Sequence, residues 1–117
     1  MVDLNKSIAD TLKTLANVEA QFPSYENKNF PLITINEISN ISTYEIEHTE
    51  IASEIVFQID VWDKADTLQS VNALAAKVSA LMHKNGFRRT LGRGFKDESS
   101  LMRNMMQFKI EVLNLKE

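Results

Sequence analysis

One stretch near the middle of the chain, residues 54–63, constrains the fold more than any other. It reads E-I-V-F-Q-I-D-V-W-D, and every second residue from Ile55 to Val61 is apolar, whereas the positions between them are mixed. Because side chains on a strand point alternately to opposite faces, this pattern predicts a central strand with one wholly apolar face. Its β-branched and aromatic residues suit a pleated, half-buried surface. We expect the flanking helices to pack against that apolar face.

The first part of the chain predicts a helix followed by a strand. Between Asp3 and Gln21, apolar residues recur at three- and four-residue steps, as on one face of an amphipathic helix. Asp3 is the expected N-cap, and Pro23 is expected to prevent the helix from continuing. A polar loop at 24–29 then leads into a strand predicted at Leu32–Ile38.

Residues 39–53 fit two descriptions. Tyr44, Ile46 and His48 alternate with polar neighbours, which favours a strand or an exposed ribbon. The density of asparagine, serine, threonine and glutamate in the same segment is also typical of a flexible loop. Both alternatives, loop and ribbon, follow from the sequence.

A second helix is predicted after the central strand. Asp66 is its expected N-cap, with Gln69 completing a capping box, and Gly86 is the expected C′ residue. The apolar stripe between these ends consists of Leu68, Val71, Leu74, Ala75, Val78, Leu81 and Met82.

The last part predicts two strands. Phe87–Phe95 is expected to form a short strand that runs into a flexible turn at Gly92–Gly94. A polar loop at Lys96–Ser100 then precedes a final strand at Met102–Leu113, whose apolar residues alternate with polar ones.

Together these elements predict an α+β fold in the order α-β-(β)-β-α-β-β, with two helices on one face of a mainly antiparallel sheet. The 117 residues are expected to form a single domain, 1–117. The chain has no cysteine, which excludes disulfides and thiolate metal sites. We expect neither a signal peptide nor a membrane span, because no suitable apolar run is present. A net charge of −3 argues against a domain that binds nucleic acid as a polycation.

No motif in the sequence predicts catalysis or metal binding. His48 and His83 fall in different elements, and neither has a second ligand at the spacing of a metal site. We expect both to serve structural or surface roles. Gly92–Gly94 holds two glycines of a phosphate-binding loop, but the third glycine and the following helix are missing, so a hairpin turn is the better interpretation.

Neither pair of nearby carboxylates predicts an acid–base site. Asp60 and Asp63 would lie on opposite faces of the central strand, so they could not act together on one substrate. Asp97 and Glu98 fall in a predicted loop, where a solvated pair is expected.

Two charge patterns are more informative. From Glu45 to Glu54 the chain has four glutamates and no lysine or arginine, and from Lys84 to Lys96 it has five basic residues and no acid. The simplest interpretation is two solvated faces. A second is a head-to-tail or self-complementary contact between copies of the chain. A third, nucleic-acid binding by the basic segment, is weaker because only Phe87 and Phe95 could stack on bases.

Three segments carry a resemblance to a known family: F-P-L-I-T-I-N-E-I-S at Phe30–Ser39, V-F-Q-I-D-V-W-D at Val56–Asp63, and L-M-H-K-N-G-F at Leu81–Phe87. With these segments the chain resembles the tail-terminator proteins of long-tailed bacteriophages, also called tail-completion or tail-to-head joining proteins. The resemblance extends from the first helix to the final strand. Its strongest part is the F-Q-I-D-V-W-D strand with the alanine-rich helix that follows.

The resemblance implies a structural virion protein, not an enzyme, with no cofactor. Members of the family assemble as a ring, commonly of six copies, at the head-proximal end of the tail tube. The ring stops polymerisation of the tube protein, docks to the head connector, and lets DNA pass through its central channel without specific binding. The implied partners are therefore other copies of the chain, the tail tube protein and the head connector, with no membrane. The implied location is the virion, and the host cytoplasm during assembly.

Within such a ring, charge suggests a placement for each charged segment. An acidic lining would repel DNA phosphates, whereas a basic lining would bind them, so we expect the segment Ile41–Ser53 to face the channel. We expect the basic segment to lie at a contact with another subunit or with the tube. The expected channel residues are Glu45, Glu47 and Glu50, and the expected contact residues are Arg88, Arg89 and Arg93.

Two other functions compete with this one. The first is a small-molecule-binding or regulatory α+β module in which the Gly92–Gly94 turn covers a ligand at the sheet edge. The second is a weak RNA-binding module that uses the basic segment.

Overall fold

The structure, a computed structural model, describes residues 4–19 and 30–113, and these residues form two helices and five strands. In chain order the elements are α1 (Leu4–Leu12), β1 (Asn17–Glu19), β2 (Leu32–Ile46), β3 (Thr49–Asp63), α2 (Gln69–Lys84), β4 (Arg88–Lys96) and β5 (Met102–Leu113). The fold is α+β, with the predicted order of helices and strands and a mostly antiparallel sheet.

The five strands form one sheet in the order β1-β2-β3-β5-β4. Only β1 and β2 run parallel, and every other neighbouring pair is antiparallel. β3 occupies the middle of the sheet, with β2 on one side and β5 on the other. Ile35, Ile59 and Met106 lie side by side across these three strands. The central position predicted for residues 54–63 is confirmed.

The alternating residues of β3 separate a helix-covered face of the sheet from a face that no described helix covers, which we call the open face. On the covered face, Ile55, Phe57, Ile59 and Val61 are buried in one apolar cluster that also includes residues of both helices. Phe57 is fully buried and meets Phe87 edge to face, with ring centroids 6.0 Å apart. Burial of each large apolar side chain contributes about 1.5–3 kcal/mol, so this face holds the hydrophobic core. The helices contribute Ile8, Leu12, Val71, Ala75, Val78 and Met82 to it.

The open face carries a smaller apolar cluster near the start of β2. Leu32, Trp62 and Leu101 are buried there against one another, and Phe30 packs on them. The indole Nε1–H of Trp62 donates a hydrogen bond to Thr34 Oγ1 at 3.0 Å. Because a buried indole N–H needs an acceptor, this bond fixes the orientation of the Trp62 ring on the open face.

The first helix is shorter than the sequence predicts. It ends at Leu12, not near Gln21, and a turn leads into β1, whose residues pair in parallel with the start of β2. Pairing with β2 gives backbone groups of residues 17–19 hydrogen-bond partners. Val18 packs against the core from the strand, so its apolar side chain does not require a helix. The predicted N-cap Asp3, the stop at Pro23 and the loop at 24–29 lie outside the described residues.

The predicted cap of α2 is also wrong. The helix begins at Gln69 with Leu68 in the N-cap position, and no side chain there accepts a capping bond. Asp66 lies two residues before the N-cap position, in a bend that covers residues 66–68. The N–H of Gln69 instead donates to Thr67 Oγ1 at 3.3 Å. Leu68 itself packs against the core, so burial of an apolar side chain takes the place of a polar cap.

The C-terminal end of α2 has the predicted form. Gly86 adopts a φ of 92°, in the left-handed region that glycine tolerates best. Its N–H donates to the carbonyl of His83, and the N–H of Phe87 donates to the carbonyl of Met82. These two bonds make a Schellman motif, which ends the helix and directs Phe87 into the core.

Residues 39–53 form a ribbon, the second of the two structures predicted for them. They comprise the end of β2, a two-residue turn at Glu47 and His48, and the start of β3. Pairing of β3 with β5 begins only at Ala52, so beyond that residue the described sheet has two strands. The molecule is accordingly 54 Å long and 25 Å across in both other directions. We call residues 39–53 the arm.

The hairpin turn predicted at Gly92–Gly94 is not present. Both glycines lie within the continuous strand β4, which pairs with β5 from Arg88 to Lys96. The reversal of the chain comes later, at Asp97–Ser100, where the N–H of Ser100 donates to the carbonyl of Asp97 at 3.0 Å. The polar loop predicted at Lys96–Ser100 is thus the turn itself.

Gly94 is needed where α2 crosses β4. A Cβ at this position would lie 2.5 Å from Asn72 Oδ1, which accepts a hydrogen bond from Asn104 Nδ2 at 2.9 Å. Gly94→Ala would push the Asn72 amide away and leave the buried Asn104 amide without that bond. We expect the free energy of unfolding, measured by urea denaturation, to fall by about 1–3 kcal/mol.

Gly92 provides the matched control. A Cβ there would come within 3.1 Å only of Arg89 Nη1, the free end of a flexible side chain. Gly92→Ala should therefore change the free energy of unfolding by no more than about 0.5 kcal/mol. Removing the obstacle with Asn72→Ala should make Gly94→Ala less harmful. Equal effects of the two alanine substitutions in the otherwise unaltered chain would contradict this explanation.

Candidate functional site

The arm exposes several large apolar side chains to solvent. Ile38, at its base, and Ile41, Tyr44 and Ile46 within it are each at least half exposed. They are among the most exposed large apolar residues described. Contiguous exposed apolar surface commonly marks a protein contact.

The three glutamates expected at a functional site all lie near the tip of the arm. Glu45 and Glu50 are directly opposite each other on β2 and β3, and Glu47 is in the turn between them. All three are exposed, and no described lysine or arginine forms an ion pair with them. Glu54, the fourth glutamate of the run, differs because Lys109 Nζ lies 3.5 Å from its carboxylate. The arm tip is therefore a patch of negative charge that no described basic residue pairs with.

The three arginines expected at a contact lie together along β4. Arg88, Arg89 and Arg93 are exposed and form no ion pair with any acid in the described parts of the chain. The guanidinium carbon of Arg93 lies 5.3 Å from the centroid of the Phe95 ring. Because β4 ends the sheet, its outer backbone groups have no strand partner within 4–19 and 30–113. We call this exposed strand the basic edge.

The arm and the basic edge do not meet within one molecule. Arg88 pairs with Lys109, and Lys109 pairs with Val56, so these residues form one row across the sheet. Glu50 lies six residues beyond Val56 along β3, a distance of roughly 20 Å at about 3.3 Å per residue. The other two arginines are no closer to the arm. The two charged groups are thus held apart by the sheet.

A partly buried ion-pair cluster lies on the open face and was not predicted from the sequence. Arg103 Nε is 3.0 Å from Asp60 Oδ1, and Arg103 Nη1 is 3.2 Å from Asp97 Oδ1. Gln58 Nε2 donates to the second oxygen of Asp60 at 2.9 Å. The Asp60 side chain is only 2% exposed, so its charge depends on these partners. Arg103 thereby joins the centre of the sheet to the β4–β5 turn.

Aromatic rings hold the Arg103 guanidinium in place. Its carbon lies 4.5 Å from the centroid of the Trp62 ring and 5.4 Å from that of Phe95. This stacking favours a cation on the ring faces. Phe87, the other aromatic residue of the basic segment, is buried in the core and cannot stack on a base. The basic edge therefore lacks a run of exposed aromatics for single-stranded nucleic acid.

Asp97 is not the solvated loop carboxylate that the sequence predicts. Partial burial raises its pKa, but hydrogen bonds from the Ser99 Oγ and N–H, a hydrogen bond from Arg103 and the Arg103 charge outweigh that effect. The pKa of Asp97 therefore lies below its ordinary value. Its neighbour Glu98 is exposed, as predicted. Asp97 serves to anchor the β4–β5 turn to Arg103.

The remaining candidate residues are dispersed. His48 is in the turn of the arm, His83 is in the last turn of α2, and both are exposed. Across residues 4–19 and 30–113, no three histidine or acidic side chains come together as metal ligands would. No helix in these residues has the length and hydropathy needed to cross a membrane. Residues Gly92–Gly94 form part of a strand, so the turn that was expected to cover a ligand in a small-molecule-binding module is not present there.

Comparison with protein-family models and with curated proteins finds no match for this chain. The similarity to tail-terminator proteins therefore stays a prediction based on the three segments that carry it. Within the described residues, the features that suggest a function are two surfaces of opposite charge on one sheet, the arm and the basic edge.

Proposed function

We propose that this chain is a structural assembly protein, a ring subunit that caps the head-proximal end of a phage tail tube and joins it to the head connector. In this role it is not an enzyme and needs no cofactor. Its partners are further copies of itself, the tube protein and the connector, and DNA passes through the ring without specific binding. The number of copies, six in the family it resembles, comes from that resemblance.

The observation that carries the proposal is the arm. A ribbon of two strands is marginally stable in water. Beyond the pairing of Ala52 with Leu113, the end of the arm has only two described strands, and the arm exposes isoleucine and tyrosine side chains. Such a projection gains stability when another protein covers it. A protein that works through a covered arm is a component of an assembly.

The sheet supports the same proposal. Its hydrophobic residues are used in the core under α1 and α2, and the buried polar groups on the open face, such as Asp60 and Arg103, are paired with one another. Paired, desolvated charges stabilise a defined geometry more readily than they take part in proton transfer. The three glutamates of the arm tip and the three arginines of the basic edge lie instead on exposed surfaces, where a partner protein can reach them.

The apolar residues of the arm help to decide whether its glutamates face the channel or a neighbouring subunit. An arm that lined an open channel would expose Ile41, Tyr44 and Ile46 to water in the assembled ring as well as in the free chain. Contact with protein would bury these side chains. We therefore favour an arm that packs between subunits over one that faces only the channel.

Negative-stain electron microscopy of the purified protein tests the proposal. We expect annular particles of uniform diameter, and we expect these particles to bind the ends, not the sides, of tail tubes from the same phage. A protein that stays monomeric at every concentration and gains thermal stability with a metabolite would contradict the proposal, because a ligand that binds only the native state raises its stability. Salt-sensitive retention on single-stranded RNA would contradict it in favour of nucleic-acid binding.

A further inference from the structure

We infer that the arm of one copy packs along the basic edge of the next copy, so that Glu45, Glu47 and Glu50 meet Arg88, Arg89 and Arg93. This contact rests on the proposed function, in which copies of the chain associate. It identifies the surfaces that they use.

Charge complementarity that the described residues of one chain leave unsatisfied supports this contact. Within residues 4–19 and 30–113, the acids of the arm tip and the arginines of the basic edge form no ion pairs, and the sheet keeps the two groups roughly 20 Å or more apart. Glu45 and Glu50 are directly opposite each other, an arrangement that is unfavourable for two like charges on paired strands. A guanidinium from another copy would relieve that repulsion and can bind a carboxylate through two parallel hydrogen bonds.

Both surfaces also have apolar side chains to bury. Ile41, Tyr44 and Ile46 on the arm are at least half exposed, and Leu91 on the basic edge is 42% exposed. The aliphatic parts of arginine side chains also cover apolar surface while their guanidinium groups bind acids. Contact between the two surfaces would therefore bury apolar groups and pair charges at once, as in the centre and rim of a protein interface.

The positions of the two surfaces in the sheet suit a repeating contact. The arm grows from β2 and β3, whereas β4 is the last strand on the opposite side of β3. A contact between an arm and a basic edge therefore joins two different surfaces, which is a head-to-tail contact. In a row of such copies, one end has an unoccupied arm and the other end an unoccupied basic edge, so further copies can add. The row closes into a ring when the rotation between neighbouring copies allows it. The inferred contact thus accounts for a ring with one kind of interface.

Charge reversal on each surface tests the inference. The arm-reversed variant is Glu45→Lys/Glu47→Lys/Glu50→Lys, and the edge-reversed variant is Arg88→Glu/Arg89→Glu/Arg93→Glu. All six side chains are exposed, so circular dichroism should give a melting temperature close to that of the unaltered protein. We expect each variant alone to associate at least about tenfold more weakly in sedimentation velocity, because attraction between the surfaces becomes repulsion.

Mixing the two variants supplies the decisive comparison. In an equimolar mixture, the new lysines of one variant face the new glutamates of the other, and the unaltered arm of the second faces the unaltered edge of the first. Association should return, with the two variants alternating around the ring. The chain that carries all six substitutions should also assemble by itself. A control with Lys13→Glu and Lys77→Glu, just after α1 and on the exposed side of α2, should assemble normally.

The outcomes separate this contact from the proposed function. Association that survives both reversed variants, or that is lost in each and not recovered in the mixture, would overturn the contact while leaving a self-assembling protein. Failure of the unaltered protein to associate under any condition would overturn the proposed function and the contact together.

Discussion

Replacing Arg103 with methionine should lower the free energy of unfolding by about 3–5 kcal/mol, a large loss for a side chain outside the hydrophobic core. The substitution keeps the length of the side chain but leaves Asp60, which is 2% exposed, without its cationic partner. It also releases Asp97 and the stacking of the guanidinium on Trp62. The main cost is the desolvated charge of Asp60, not the lost attraction.

Urea denaturation of a double-mutant cycle measures this effect. Asp60→Leu alone should also destabilise the protein, because it leaves Arg103 with a single carboxylate. The double variant Asp60→Leu/Arg103→Met removes both charges and should be more stable than the sum of the single effects predicts. A loss below about 1 kcal/mol for Arg103→Met would mean that water reaches Asp60 and that the cluster does not hold the open face together.

Acid denaturation gives a second readout of the same cluster. Because the folded-state pKa of Asp97 is lowered, its carboxylate stabilises the fold at pH values above its ordinary pKa of about 3.9, and this contribution is lost as the pH falls through the folded-state pKa. Arg103→Met removes one of the causes of the lowered pKa, although the Ser99 hydrogen bonds remain. As the pH falls below about 4, the free energy of unfolding should therefore decrease less in the variant than in the unaltered protein.

Replacing the exposed apolar residues of the arm with threonine should weaken self-association about a hundredfold. Full burial of such a side chain contributes about 1.5–3 kcal/mol, and roughly half of that remains to be gained at each half-exposed position. Three positions together give about 3 kcal/mol, which corresponds to about two powers of ten in the dissociation constant. The variant is Ile41→Thr/Tyr44→Thr/Ile46→Thr, and threonine keeps the preference for strand.

The stability of the monomer provides the control for the arm variant. Because the three side chains are about half buried in the free chain, their replacement should lower the urea midpoint, so association is compared under conditions in which circular dichroism shows that the variant is folded. Lys77→Ala, on the exposed side of α2, should affect neither the midpoint nor association. An arm variant that associates as tightly as the unaltered protein would show that the arm is not the covered surface.

The fold could be predicted from the sequence where periodicity decides it. In β3, β5 and α2 the apolar residues repeat at the period of a strand or a helix. These elements could therefore be predicted from their own segments, without information about the elements they contact. The second half of the predicted first helix is wrong because Leu15 and Val18 pack on the core from a turn and from β1 equally well. Pairing with β2, which is distant in sequence, favours the strand over a continued helix.

Turn positions are harder to predict, for two local reasons. The arm turns at Glu47 and His48, both at positive φ, where asparagine and glycine are the usual residues, so the turn carries no recognisable signal. Gly92 and Gly94 carry the signal of a turn, but Gly94 is glycine because α2 passes over it. A glycine explained by close packing cannot be distinguished from a turn glycine in one sequence.

The ion-pair cluster could not be predicted because it depends on strand register. Asp60 on the mixed face of β3 and Arg103 near the start of β5 are individually visible in the sequence. Their contact requires the pairing of β3 with β5, which places Asp60 beside Met105 and Trp62 beside Arg103. The charge runs on the arm and on β4 are visible without register, because each lies within one continuous segment.

Sedimentation velocity of the unaltered protein over a wide range of concentration tests most directly whether the chain works by associating with copies of itself. Such a protein should pass, as concentration rises, from a monomer to one discrete larger particle whose mass is a whole multiple of the chain mass. High salt should shift that transition to higher concentration, because it screens the charges on the two surfaces. A single monomeric species at every concentration and salt would contradict a role in assembly.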